Sequence, residues 1–143
     1  MELIRGLYNL SSRHHGCITT MGAFDGVHRG HRLLLKQLVE RGKELGLPVT
    51  VVVFEPLPGE YFSPLRAPAR LTSFREKFNT FGKLGIDRVL RIRFTDFFRN
   101  MSAPDFIQNV FVEGLQARYI VVGDDLRFGQ NRSGDFAALR SWS

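Results

Sequence analysis

Two histidines three residues apart, His28 and His31, close the run Gly22-Ala23-Phe24-Asp25-Gly26-Val27-His28-Arg29-Gly30-His31. An imidazole donates hydrogen bonds to phosphate oxygens, and does so more strongly when protonated. Gly26 and Gly30 remove side chains where a ligand must approach the backbone. The run follows an apolar stretch from Cys17 to Met21 that reads as a buried strand. It precedes Leu33, Leu34, Leu35, Leu38 and Leu45, which have the spacing of an amphipathic helix. The histidines therefore sit where a strand turns into a helix. In an open α/β sheet that junction lies at the carboxyl edge, where ligands bind. The first turn of the helix also offers unpaired N–H groups and the positive end of its dipole. The chemistry these residues suit is phosphate binding, and by extension nucleotide binding. A pair of solvated helix-start histidines is the plainer reading. A zinc pair is another, but the chain has one cysteine, and its other histidines, His14 and His15, fall in a loop. Asp25 can hold the turn by accepting backbone N–H bonds or can serve magnesium, and Arg29 can face solvent or ligand.

The elements that must position this run alternate. Strands are predicted over 17–24, 48–55, 88–94 and 118–123, with Val/Ile-rich runs that suit a parallel sheet covered on both faces. A helix is predicted from about His31 to Leu45, with Gly46 as its C-cap before Pro48. A second starts after Ser73, with Glu76 completing a capping box, and ends near Gly85. A third starts after Ser102, has Asp105 near its positive end, and buries Phe106, Val110, Phe111 and Leu115. A last helix is predicted from near Asp135 to Trp142. Strands alternating with helices imply right-handed crossovers and a doubly wound parallel sheet of the Rossmann-like α/β class.

Four segments, in order, resemble one known family. The pattern G-x-F-D-G-x-H-x-G-H is similar to the H-x-G-H signature of the nucleotidyltransferase superfamily. Its particular form resembles the FMN adenylyltransferase (FAD synthetase) module of bacterial bifunctional riboflavin kinase/FAD synthetases. Phe54-Glu55-Pro56-Leu57-Pro58-Gly59-Glu60-Tyr61-Phe62 is similar to that family's F-E-P-x-P-x-E-x-F run. Pro68-Ala69-Arg70-Leu71-Thr72 with Arg75-Glu76-Lys77 resembles its A-R-L-T…R-E-K segment. Val122-Gly123-Asp124-Asp125-Leu126-Arg127-Phe128-Gly129, then Arg132 and Gly134-Asp135, resembles its V-G-D-D-F-R-F-G…R-x-G-D segment.

The resemblance implies transfer of AMP from ATP to FMN, giving FAD and pyrophosphate. It implies His28 and His31 as catalytic groups. It implies ATP contacts from Gly22, Ala23, Phe24, Asp25, Gly26, His28, Gly30 and His31, and FMN contacts from Phe54, Pro56, Pro58, Phe62, Asp125, Arg127 and Phe128. Phe54 or Phe62 would present apolar surface to the isoalloxazine ring, against the plainer reading of a turn stiffened by two prolines. The Asp124-Asp125…Arg127 loop would bind ribityl hydroxyls and phosphate, against the plainer reading of a salt-bridged loop. Magnesium would accompany ATP, held by phosphates and water rather than by a protein-only cage. Two departures stand out. Ala23 replaces the family's usual Asn, removing one side-chain hydrogen bond. The sequence ends at Ser143, before the family's I-S-S-T-x-[IV]-R segment and its riboflavin kinase barrel. The expectation is one domain over 1–143, truncated at its C-terminal end, without the kinase domain, and slow or inactive in FAD formation. The alternatives are a non-catalytic nucleotide-binding fragment of that enzyme, or another small-molecule adenylyl- or cytidylyltransferase.

Composition narrows the partners. A length of 143 residues with 43% hydrophobic and 24% charged residues suits one globular domain. The net charge of +6 invites a nucleic-acid reading. However, Arg66, Arg70, Arg75, Arg88, Arg91, Arg93 and Arg99 are scattered over different predicted elements, so small-molecule phosphates are expected instead. The longest apolar runs are too short to span a bilayer. No apolar signal follows Met1, and lone Cys17 allows no disulfide, so a reducing cytoplasm is expected.

Overall fold

The central strand explains the sheet. In a computed structural model, which describes residues 1–22, 24, 29–55, 74–93 and 95–122, strand β3 (Val49–Phe54) is buried along its whole length. Its side chains alternate between two cores. Val49, Val51 and Val53 join one cluster, and Val52 and Phe54 join the other. A continuous Val run without polar alternation fits a strand covered on both faces.

The other strands are β1 (Glu2–Arg5), β2 (Ile18–Met21), β4 (Arg88–Ile92) and β5 (Tyr119–Ile120). The sheet order is β1-β4-β3-β2-β5, and every pairing is parallel. Helix α1 (Arg29–Leu45) and helix α2 (Phe74–Leu84) cover one face, through Leu35, Leu38, Val39 and Phe81. On the other face lie helix α3 (Asp96–Arg99), helix α4 (Ala103–Phe106) and a π-helical stretch, Ile107–Gly114. They bury Phe106, Ile107, Val110, Phe111 and Leu115 against Met21, Val52 and Leu90. Each such side chain, fully buried, contributes about 1.5–3 kcal/mol. The expected doubly wound α/β class is the one observed.

Several expectations need correction. Strand β1 was not anticipated, because four residues with charged ends give no apolar run. It is the short, charged kind of strand that closes a sheet edge. The other strands are shorter than expected. Phe24 lies beyond β2 with φ +51°, and β5 has two residues. The third helix begins as foreseen, with the N–H of Asp105 donating to Ser102 Oγ at 3.2 Å. It then widens, and the N–H of Leu115 donates to the carbonyl of Val110. The wider π turn closes each bond one residue later than an α turn, and it keeps Phe106, Val110, Phe111 and Leu115 on one buried side. His14 is not in an open loop. It is buried in a 3-10 turn, Ser12–His14. The predicted helix over 135–142 and the cap at Ser73 lie outside the described residues.

Candidate active site

The strand order reverses between β2 and β5. The chain steps outward from β2 to β3 to β4, then returns to place β5 on the far side of β2. At such a switch point the two crossovers leave on opposite faces and open a crevice at the carboxyl ends. The glycine and histidine run emerges there. β2 ends at Met21, Gly22 donates its N–H to the carbonyl of Val52 at 3.3 Å, and α1 begins at Arg29.

His31 therefore sits in the first turn of a 17-residue helix, beside Arg29, Gly30 and Arg32. That turn contains no acidic residue, so no carboxylate of its own neutralises the positive end of the helix dipole. A basic first turn at the positive end of a helix dipole is suited to an anion. The imidazole of His31 is half-buried and stands edge-on to Phe24, with ring centroids 5.2 Å apart.

Phe24 is turned inward. Its ring is buried, and it meets Phe81 of α2 at 5.6 Å in a second edge-on contact. Any contact from Phe24 to a nucleotide would come from its backbone. Phe54 is also directed into a core, between Phe98 at 6.1 Å and Phe106 at 5.8 Å. Of the other expected site residues, Gly30 lies in α1. Ala23, Asp25, Gly26, His28, Pro56, Pro58, Phe62, Asp125, Arg127 and Phe128 lie outside the described residues.

The fold also assembles groups that sequence reasoning left apart. A cleft of about 890 Å³ opens at the carboxyl ends of β1, β3 and β4. Arg5, Arg91 and Arg93 line it together with Glu55, Tyr8, Phe97 and Phe98. Arg5 and Arg91 are register partners on adjacent strands, which is how arginines scattered in sequence become neighbours. The guanidinium of Arg91 lies 4.6 Å from the ring centre of Phe74. Phe97 is 68% exposed, and Phe98 stands edge-on to it at 5.3 Å. The signal was present in Arg91-Ile92-Arg93 followed by Phe97-Phe98. It needed the rule that parallel strands deliver their following residues to one edge. Lys77 was also missed. It is fully buried one turn before Phe81, where an ammonium is tolerated only with partners. Among the described residues no group of three His, Cys, Asp or Glu side chains could hold a metal, and no helix is long and apolar enough to cross a membrane.

Comparison with known proteins bears on this arrangement. The family described as FAD synthetase matches residues 10–143. A bifunctional riboflavin kinase/FMN adenylyltransferase from Pseudomonas fluorescens is 49% identical over 140 residues, which is 98% of this chain and 45% of that protein. One of the same description from Escherichia coli K12 is 49% identical over 141 residues, again 98% of this chain and 45% of that protein. The chain thus spans less than half the length of the curated relatives it matches. A crystal structure described as a macrolide-efflux protein from Streptococcus pneumoniae superposes with a TM-score of 0.84 at 20% identity, covering 99% of this chain and 47% of that one. That likeness is one of fold.

Proposed function

The chain belongs to the FAD synthetase family, and from that premise we propose that it transfers the AMP moiety of ATP to FMN, giving FAD and pyrophosphate. The observation that carries this reading is the acid-free first turn of α1, with His31 in it, at the switch point of the sheet. The three arginines of the cleft, at the ends of β4 and β1, stand two to three strands from β2 along the same edge. At ordinary strand spacing that is about 10–15 Å, a separation a dinucleotide can bridge.

The reaction needs little covalent chemistry from side chains. A phosphate oxygen of FMN attacks the α-phosphorus of ATP, a P–O bond forms, and the bond to the β-phosphate oxygen breaks as pyrophosphate leaves. The protein's contribution is alignment and stabilisation of charge. His31 and the N–H groups of the first turn of α1 would hold phosphate oxygens, together with His28. Magnesium, if carried in on the triphosphate, keeps phosphate and water ligands. The basic character of the first turn, Arg29-Gly30-His31-Arg32, fits an ion that arrives with its nucleotide. The flat, apolar faces of Phe97 and Phe98 suit a flavin ring, and Arg5, Arg91 or Arg93 suit its phosphate. The ATP contacts of Gly30, of the Phe24 backbone and of Ala23, Asp25 and Gly26, and the FMN contacts of Pro56, Pro58, Phe62, Asp125, Arg127 and Phe128, are proposed as the sequence motifs assign them, and the cytoplasm is the proposed place of action.

Chromatography of a mixture of protein, FMN, ATP and magnesium tests the proposal. FAD and pyrophosphate should accumulate in equal amounts. Saturable ATP binding without any FAD would favour a nucleotide-binding fragment instead.

A further inference from the structure

We propose that Phe24 is the positioning residue for His31, and that Gly22 is a glycine in order to admit the Phe24 ring. Three observations meet here. The Phe24 backbone has φ +51°, a left-handed conformation that costs a bulky side chain energy and persists only where the surroundings impose it. Its ring is 4% exposed and touches two others edge-on, His31 at 5.2 Å and Phe81 at 5.6 Å. A Cβ built on Gly22 would lie 3.0 Å from Cε2 and 3.2 Å from Cζ of that same ring.

The consequence is a short mechanical chain. Phe81 is fully buried on α2 and fixes one edge of the Phe24 ring. Phe24 folds back over Gly22 and presents its other side to the imidazole. The half-buried His31 is thereby held in one orientation before any ligand arrives. A phosphate-binding group held beforehand loses less freedom on binding. So Gly22 serves packing within the protein rather than the approach of a ligand. Phe24 acts through His31 and has no role on the reacting atoms. This inference rests on reading His31 as a phosphate-binding group.

The test has an arm that needs no ligand. In the full 143-residue chain, proton NMR of ligand-free protein should show cross-peaks between the Phe24 and His31 rings. Phe24→Leu removes the ring edge and should shift the His31 ring resonances while leaving those of His15 in place. Gly22→Ala should shift them too, by displacing the ring. Combined with Phe24→Leu it should add little, because Leu lacks the atoms the new methyl would strike; such non-additivity marks direct contact. By calorimetry, each single variant should bind magnesium-ATP about two- to twelvefold more weakly, the worth of one edge-to-face pair. Absence of the cross-peaks, or unmoved His31 resonances in whichever single variant folds, overturns the proposal. If His31 moves as described while the unaltered chain binds no ATP, the positioning stands and the functional reading fails.

Discussion

His14 Nε2 lies 3.3 Å from Oε2 of Glu2, and the two residues lock the amino end of β1 to the 3-10 turn before β2. The N–H of Ser11 donates to Nδ1 of His14 at 3.0 Å, which leaves Nε2 facing the carboxylate. Arg13 forms a two-pronged pair with the same carboxylate, and Arg88 Nε lies 3.5 Å from Oε1. Hydrogen bonding to Arg13 is the main reason the Glu2 carboxyl falls from an ordinary 4.5 to about 2, with His14 adding to it.

A depressed carboxyl stabilises the fold above its unfolded pKa and loses that contribution as pH falls through the folded value. Urea melts should therefore show stability declining between about pH 4.5 and pH 2. Glu2→Gln should flatten that part of the profile. An unchanged slope would mean that solvent screens the cluster completely.

Three of the four histidines should separate by role. His31→Ala should weaken ATP binding by about 1.5–3 kcal/mol, the worth of a hydrogen bond to a charged group. His14→Ala should lower the melting temperature, because it empties a buried position and removes the side chain that joins Glu2 to the Ser11 N–H. The folded fraction of His14→Ala should bind ATP as before. His15→Ala should change neither. Parallel calorimetry and thermal melts read both quantities.

The two long helices end alike. The N–H of Leu47 donates to the carbonyl of Gly42 and that of Ile86 to the carbonyl of Phe81, with Gly46 at φ +67° and Gly85 at φ +93°. This is the Schellman closure. A Cβ on Gly46 meets open space, whereas one on Gly85 comes within 3.2 Å of Val39 Cγ1. Gly46→Ala should cost about 1–2 kcal/mol, from the left-handed backbone alone. Gly85→Ala should cost more, and denaturant midpoints will rank the two.

Ser102→Ala should remove the bond from the N–H of Asp105 and destabilise the fold by about 1 kcal/mol. Asn109, on the following turn, donates from its side chain to the carbonyl of Asp105 at 2.8 Å and so keeps the segment from unwinding altogether. Circular dichroism should show helical content nearly intact at a lower melting point.

Features written in local chemistry were legible from sequence. The caps at Ser102, Gly46 and Gly85 have short-range signatures, and so do the apolar runs of β2, β3 and β4. The burial of Phe106, Val110, Phe111 and Leu115 was equally legible. Strand β1 was not, because Glu2-Leu3-Ile4-Arg5 becomes a strand only by pairing with β4. The π-helical stretch was missed because apolar spacing at i, i+4 and i+5 suits an α-helix nearly as well. The contact of His14 with Glu2 joins residues twelve apart, and the full burial of Lys77 is a tertiary fact. The cleft was legible only in its Arg91-Ile92-Arg93 and Phe97-Phe98 side; Arg5 joins Arg91 through sheet register, which no spacing encodes. The inward direction of Phe24 is likewise a tertiary fact, since one φ value decides where its ring goes.

The pairing of Glu2 with Arg88 also sets an order of events during synthesis. β2 and β3 can zip together while the chain is still short, because little sequence separates Ile18 from Val49. β1, made first, must wait for β4 to leave the ribosome, and the closure entropy of that long loop delays it further. Until then the backbone of Leu3 and Ile4 lacks the strand it pairs with and offers an open edge to an aggregating neighbour.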